Sequence, residues 1–315
     1  MFRFVFALLA VGVLCSQSIA QPAPDLLRRI EKLEQDNRSL QRKVSMLGFA
    51  MQATAGTKRP VTIGNKTVAT LIVSPNGWGQ GRPQDVAAVC ASVVDMLMRA
   101  IPPEAGREPT IILVNDSQGP MTLTQRGPRG EYIVLLNTGD RRWSQLAYQF
   151  SHELGHVLCG DLSLQKPQHW FEEAFCESVS LWTMDKLGIS WKTNAPYDSW
   201  RSYAPNLSSY IDDVRNRIPK QDNIAKWYPP NSIKLTKDAY DRDKNLVLAR
   251  AMAIEAHKNS DFLKAFYYMR RDTLQNRVNS MQWLLDNWHA STPDEMQFAP
   301  ARVAEIMGMK ITQKQ

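Results

Sequence analysis

Several residue types and patterns are scarce in this chain, and each scarcity narrows its class. Only four cysteines occur in 315 residues. Loss of an N-terminal leader would take Cys15 and leave Cys90, Cys159 and Cys176. An odd number cannot all pair within one chain, so a complete disulfide framework is excluded. Past the leader, no apolar run approaches the roughly 20 residues that cross a bilayer, so no transmembrane helix is expected in the mature chain. No nucleic-acid motif accompanies the net charge of +7. The basic balance therefore reads as a solvated surface, and no nucleic-acid partner is expected. With 43% hydrophobic and 22% charged residues the composition is globular. The length suffices for one large domain or two smaller ones.

Histidine is nearly as rare, five in all, yet two stand four apart in His152-Glu153-Leu154-Gly155-His156. On a helix, positions i and i+4 share a face, so both rings can meet one metal ion. Glu153 stands beside them as a general base. Two histidines, one glutamate and a water suit Zn²⁺ in a catalytic site, because the water keeps one position open for chemistry. A third protein ligand is then needed. The next helix opens near Trp170 as Trp-Phe-Glu-Glu-Ala-Phe-Cys-Glu-Ser and offers Glu172, Glu173 and Glu177. Glu172 and Glu173 point about 100° apart, so only one aims directly at the ion. Glu173 and Glu177 share a face, and one can bind metal while the other holds a ligating ring from behind. The residues alone leave that choice open.

Taken together, these two helices resemble the gluzincin metallopeptidases, the thermolysin-like and aminopeptidase-like clan, over roughly residues 110–187. Trp170, Glu173, Phe175 and Glu177 fall in phase with that clan's W-x-x-E-G-x-x-E phrase, with Ala174 where Gly is common. The resemblance implies His152, His156 and Glu173 as zinc ligands, Glu177 as the carboxylate behind His152, and Glu153 as the base. It also implies an oxyanion donor from the far side of a cleft. Tyr148, His169, Tyr240 and His257 are candidates, and the clan pattern favours His257 or Tyr240. The implied activity is zinc-dependent hydrolysis of peptide bonds in a peptide or protein substrate. A competing reading is a non-catalytic zinc-binding scaffold of the cell envelope, against which the intact Glu153 argues. Cys159 and Cys176 follow His156 and Glu173 by three residues each, so they are expected either to pair or to lie buried as thiols.

The leader has Arg3 as its basic start, Phe4 to Leu14 as an apolar core and Ser18-Ile19-Ala20 as a cleavage site, so export to the periplasm or beyond is expected, with residues 1–20 removed. Leu14 before Cys15 is not the small residue of a lipoprotein signal. Residues 21–50 carry a coiled-coil segment. Leu26, Leu33, Leu40 and Leu47 fall at d, and Ile30, Asn37 and Val44 at a, which predicts self-association through residues 25–48. A linker is expected over 51–60.

The fold class expected is α+β: a zincin-like lobe over 61–190 and a mainly helical lobe over 191–315. Within the first, Val61–Ile63 and Lys66–Val73 read as a hairpin across Gly64-Asn65. Gln84–Ile101 and Trp143–Leu158 read as helices, and Thr110–Val114 and Glu131–Asn137 as strands. The strand before the motif helix is a candidate sheet edge facing the cleft. Further helices are expected over 199–218, 237–258, 261–274, 280–290 and 300–307, with Pro229-Pro230 in a loop.

Overall fold

A computed structural model describes residues 48, 55–103, 106–159, 168–270 and 280–312. The expected signal peptide and, apart from Gly48, the coiled coil lie outside these residues. One compact unit, Met46–Gln315, holds the sheet and all the helices described here.

The hairpin forms as its sequence dictates. β1 (Thr57–Ile63) and β2 (Lys66–Val73) pair antiparallel across Gly64-Asn65, with Gly64 at a φ of 60°. β1 starts inside the expected linker, so that linker ends earlier than position 60. Pro60 lies within this strand, and it is tolerated there because β1 is one of the two edge strands of the sheet. Helix α1 (Pro83–Ala100) opens on a proline suited to a first turn, buries Val86, Val89, Val93 and Leu97, and ends before Pro102-Pro103. It carries the chain over to β3 (Thr110–Asn115), which lies parallel to β2. A two-residue strand, β4 (Met121–Thr122), and β5 (Tyr132–Leu136) complete a sheet of order β1-β2-β3-β5-β4. The strand before the motif helix is therefore interior, and the edge belongs to β4, which pairs antiparallel with β5.

Both faces of the central strands are buried. Leu71, Val73, Ile111, Leu113, Val134 and Leu136 join the main core with α1, while Ile72, Ile112, Val114, Ile133 and Leu135 form a second cluster on the other face. This double burial explains why these strands read as unbroken apolar runs rather than as alternating patterns.

Helix α2 (Trp143–Cys159) carries the paired histidines, and α3 (His169–Asn194) follows. α3 is apolar on most of its circumference, as befits a helix enclosed by neighbours. It packs against α2, α4 (Ala204–Arg217) and α6 (Arg242–Lys258). α5 (Ile224–Lys237) includes Pro229 and Pro230, which the sequence reading placed in a loop. The two prolines remove the donors for the carbonyls of Ala225 and Lys226, and neither of those residues is buried. An N-cap at Asn223, accepting from the Lys226 amide at 2.9 Å, starts the helix. The segment read as one helix over 237–258 breaks at Asp238–Asp241, where Asp241 caps α6 through the Lys244 amide. Beyond lie the short α7 (Asp261–Lys264), α8 (Met281–Ser291) and α9 (Phe298–Ile306). No described helix is long and apolar enough to cross a membrane.

Candidate metal centre

The site is built where α2 and α3 approach closely. Ala147, Ser151, Gly155 and Cys159 recur every four residues on α2 and are all buried, giving a stripe of small side chains. Along it, Ser180 of α3 donates to the Tyr148 carbonyl at 3.1 Å. At Gly155, a Cβ would stand 3.0 Å from Cys176 Sγ and 3.3 Å from its Cα. The missing Cβ of Gly155 lets the helices pack closely here, and that spacing brings the carboxylates of α3 to the histidines of α2.

His152 and His156 turn their Nε2 atoms toward each other at 3.3 Å. Glu173 closes the triangle, its Oε2 3.2 Å from His152 Nε2 and its Oε1 3.7 Å from His156 Nε2. Ligand atoms about 2.0–2.1 Å from a tetrahedral ion stand roughly 3.3–3.4 Å apart. The separation of the two imidazole nitrogens and that of His152 from Glu173 Oε2 are close to this value, and the other Glu173 oxygen stands a little farther from His156. Ligand atoms of His152, His156 and Cys176 also lie within 4.8 Å of one another. Glu173 is the better third group, because its oxygens stand at coordination spacing. Cys176 is fully buried against Gly155, and burial, with the charges of Cys159 and the nearby glutamates, pushes its thiol well above the ordinary value. Cys159 and Cys90 are buried too, and neither forms a disulfide among the described residues.

The electrostatics call for positive charge. Four carboxylates, from Glu153, Glu172, Glu173 and Glu177, surround two imidazoles. Burial alone would depress His152, but the Glu173 contact and the charges of Glu177, Glu153 and Glu173 outweigh it and push the ring up to about 9. His156 is raised too: burial opposes the shift, and Glu172 overcomes it. Burial also resists ionisation of Glu173, yet hydrogen bonds with His152 and His169 hold that carboxyl well below the usual range. A divalent cation held by the two neutral rings would supply the positive charge that this cluster of carboxylates calls for.

At this triangle the His156 ring is fixed from behind. His156 Nδ1 lies 2.7 Å from Glu172 Oε1. The sequence reading had Glu172 only as a ligand candidate, although its position about 100° from Glu173 on the helix is the signal for this role. Glu177 stands 3.8 Å from His152 Nδ1, beyond hydrogen-bond length. Its direct partners are the Tyr148 hydroxyl and Arg242 Nε, the latter at 2.8 Å. Tyr148 is thus occupied in the interior. Glu153 is buried, which raises its pKa, while the charges of His152 and His156 and a hydrogen bond from Thr122 pull the other way. Thr122 Oγ1 donates to Glu153 Oε2 at 2.8 Å. Neither Thr122 nor Arg242 carried a sequence signal, since each reaches the site through a long-range contact.

His169, the first residue of α3, places Nε2 3.1 Å from Glu173 Oε1, and its ring meets that of Tyr240 edge-on at 5.4 Å. Tyr240 is 73% exposed, on the open side of the cluster. His257 is not brought to the site. Its Nε2 lies 2.7 Å from Asp185 Oδ2, and Asp185 stands about 18 Å along α3 from Glu173.

No family model, curated protein or solved structure matches the chain. The assignment therefore stands on the site itself. A helical His152-Glu153-x-x-His156 motif meets downstream glutamates in a gluzincin-type HExxH arrangement, suited to one zinc ion and to zinc-dependent hydrolysis.

Proposed function

We propose that this protein is an exported zinc-dependent peptidase. In this reading His152, His156 and Glu173 hold the metal, Glu172 orients the His156 imidazole, and Glu153 is the general base. The observation that carries it is the triangle of 3.3, 3.2 and 3.7 Å between the three ligand groups, with Glu153 one residue from the first. When bound, zinc supplies the Lewis acidity that makes water nucleophilic near neutral pH and polarises a carbonyl. The chain's own residues do the rest. Glu153 takes a proton from the attacking water and delivers it to the leaving amine. Its buried setting favours holding that proton between the two transfers. Tyr240 is the oxyanion donor. Its exposed phenol stands beside His169, and a tyrosine hydroxyl is protonated at neutral pH and able to donate.

An unstructured peptide or protein is the substrate class, because an extended segment can reach an open edge beside the site. The heptads over 25–48 support self-association, and the leader over 1–20 supports a periplasmic or secreted location. A peptide-library digest tests the reading. Zinc-loaded wild type should cleave, a chelator should abolish cleavage, and Glu153→Gln should retain zinc while losing at least about a hundredfold in rate. Cleavage at the wild-type rate by Glu153→Gln removes Glu153 from the mechanism.

A further inference from the structure

The edge strand β4 meets the reaction machinery at Thr122. Its Oγ1 lies 2.8 Å from Glu153 Oε2 and 3.1 Å from the Glu153 carbonyl oxygen. A threonine hydroxyl has one proton to give. The ionised carboxylate is both nearer and the stronger acceptor, so it takes that proton. We propose that Thr122 is a positioning residue for Glu153: it engages Oε2 and leaves Oε1 as the oxygen that exchanges protons with water and leaving group. This rests on the hydrolase reading above.

Thr122 is well fixed for such a role. Its χ1 is stiff because Cβ is branched. Its strand is held on β5 by the pairs Met121↔Leu135 and Thr122↔Val134 and by the Leu123 amide, which donates to the Ile133 carbonyl at 2.9 Å. On the preceding side Gly119 lies so close to Leu135 and Leu136 that a Cβ there would stand 2.9 Å from their backbones. Glu153 is only 2% exposed, so bulk water does not orient its carboxylate. Without the Thr122 hydroxyl, the carboxylate plane would turn through a range of angles about the last side-chain bond, and the productive angle would be populated for part of the time only.

The test compares zinc-loaded wild type, Thr122→Val and Thr122→Ser on a fluorogenic peptide chosen from the cleaved members of the library. Valine keeps the shape and favours a strand, so the fold should persist, as a thermal melt will report. Thr122→Val should lower kcat roughly ten- to hundredfold, the loss expected for a hydrogen bond to a charged group. KM, and the zinc Kd from competition with a chromophoric chelator, should stay within about twofold. Thr122→Ser, which keeps the donor, should stay within about threefold of wild-type kcat. Unchanged kcat in Thr122→Val overturns the inference. So does a loss that follows weakened zinc binding, raised KM or a lost fold, or a serine variant as impaired as the valine one. A wild type that binds zinc but cleaves nothing overturns the hydrolase reading and this inference together; a cleaving wild type with an unimpaired Thr122→Val overturns the inference alone.

Discussion

Glu172 shows how much of a metal site lies outside its ligands. Its carboxylate meets His156 Nδ1 at 2.7 Å and sets which ring nitrogen faces the metal. Partners of this kind are worth about 10–100-fold in metal affinity. Glu172→Gln should therefore raise the zinc Kd by that factor in a chelator competition, with Glu173 left in place. An unchanged Kd would mean that His156 is oriented by packing alone. At this scale the sequence was most informative where helical spacing fixes geometry. His152, His156, Glu173 and Glu177 share faces whatever the fold does. It was silent where a contact spans many residues: Thr122 meets Glu153 across 31 positions, and Arg242 meets Glu177 from another helix. His257 illustrates the opposite error. A histidine on a neighbouring helix was a reasonable donor by type, but the helix register gives it to Asp185.

The elements succeed or fail as scaffolds according to how closely α2 and α3 can approach. Gly155→Ala brings two opposing effects. Alanine favours the helix by up to about 1 kcal/mol. Its methyl would meet Cys176 Sγ, a fully buried atom, at 3.0 Å, tighter than an ordinary contact, and overpacking of this kind costs about 1–3 kcal/mol. The second effect should win. Chemical denaturation should show Gly155→Ala less stable than wild type, and Cys176→Ala in the same background should recover part of the loss. A Gly155→Ala variant at least as stable as wild type would show that the helices are not held at their limit. Element boundaries were legible where signals were local, as in the hairpin turn, the Pro83 start and the Pro102-Pro103 stop. They were not where tertiary context overrode them. β4 is too short to show a pattern, and Pro229-Pro230 sits in a helix whose neighbouring carbonyls are not buried.

For the molecule as a whole, the metal helix α3 is also the beam to which the helical region is fastened. Asp185, about two thirds of the way along it, accepts from Arg215 of α4 and pairs with His257 of α6. Burial resists its ionisation, and the hydrogen bonds from His257 and Arg215 outweigh that resistance and hold the carboxyl below its ordinary value. A depressed native pKa contributes stability that is complete above the unfolded value, near about 3.9, and is lost as pH falls through the lower folded value. In chelator, with both proteins metal-free, Asp185→Asn should be less stable than wild type by about 1–3 kcal/mol at neutral pH. That gap should close as pH drops below about 4. A gap that persists unchanged into strong acid would assign the effect to packing rather than charge. The α+β layout was legible from the order of apolar runs, whereas the central place of α3 was not, because a helix enclosed on most sides has little polar face to read. The central claim, that these helices meet to hold one zinc ion, is tested most directly by the metal content of the purified protein. Mass spectrometry should find about one zinc per chain in wild type and almost none in His152→Ala; wild-type protein free of zinc after purification in its presence, or a His152→Ala variant that keeps a full equivalent, would contradict the account.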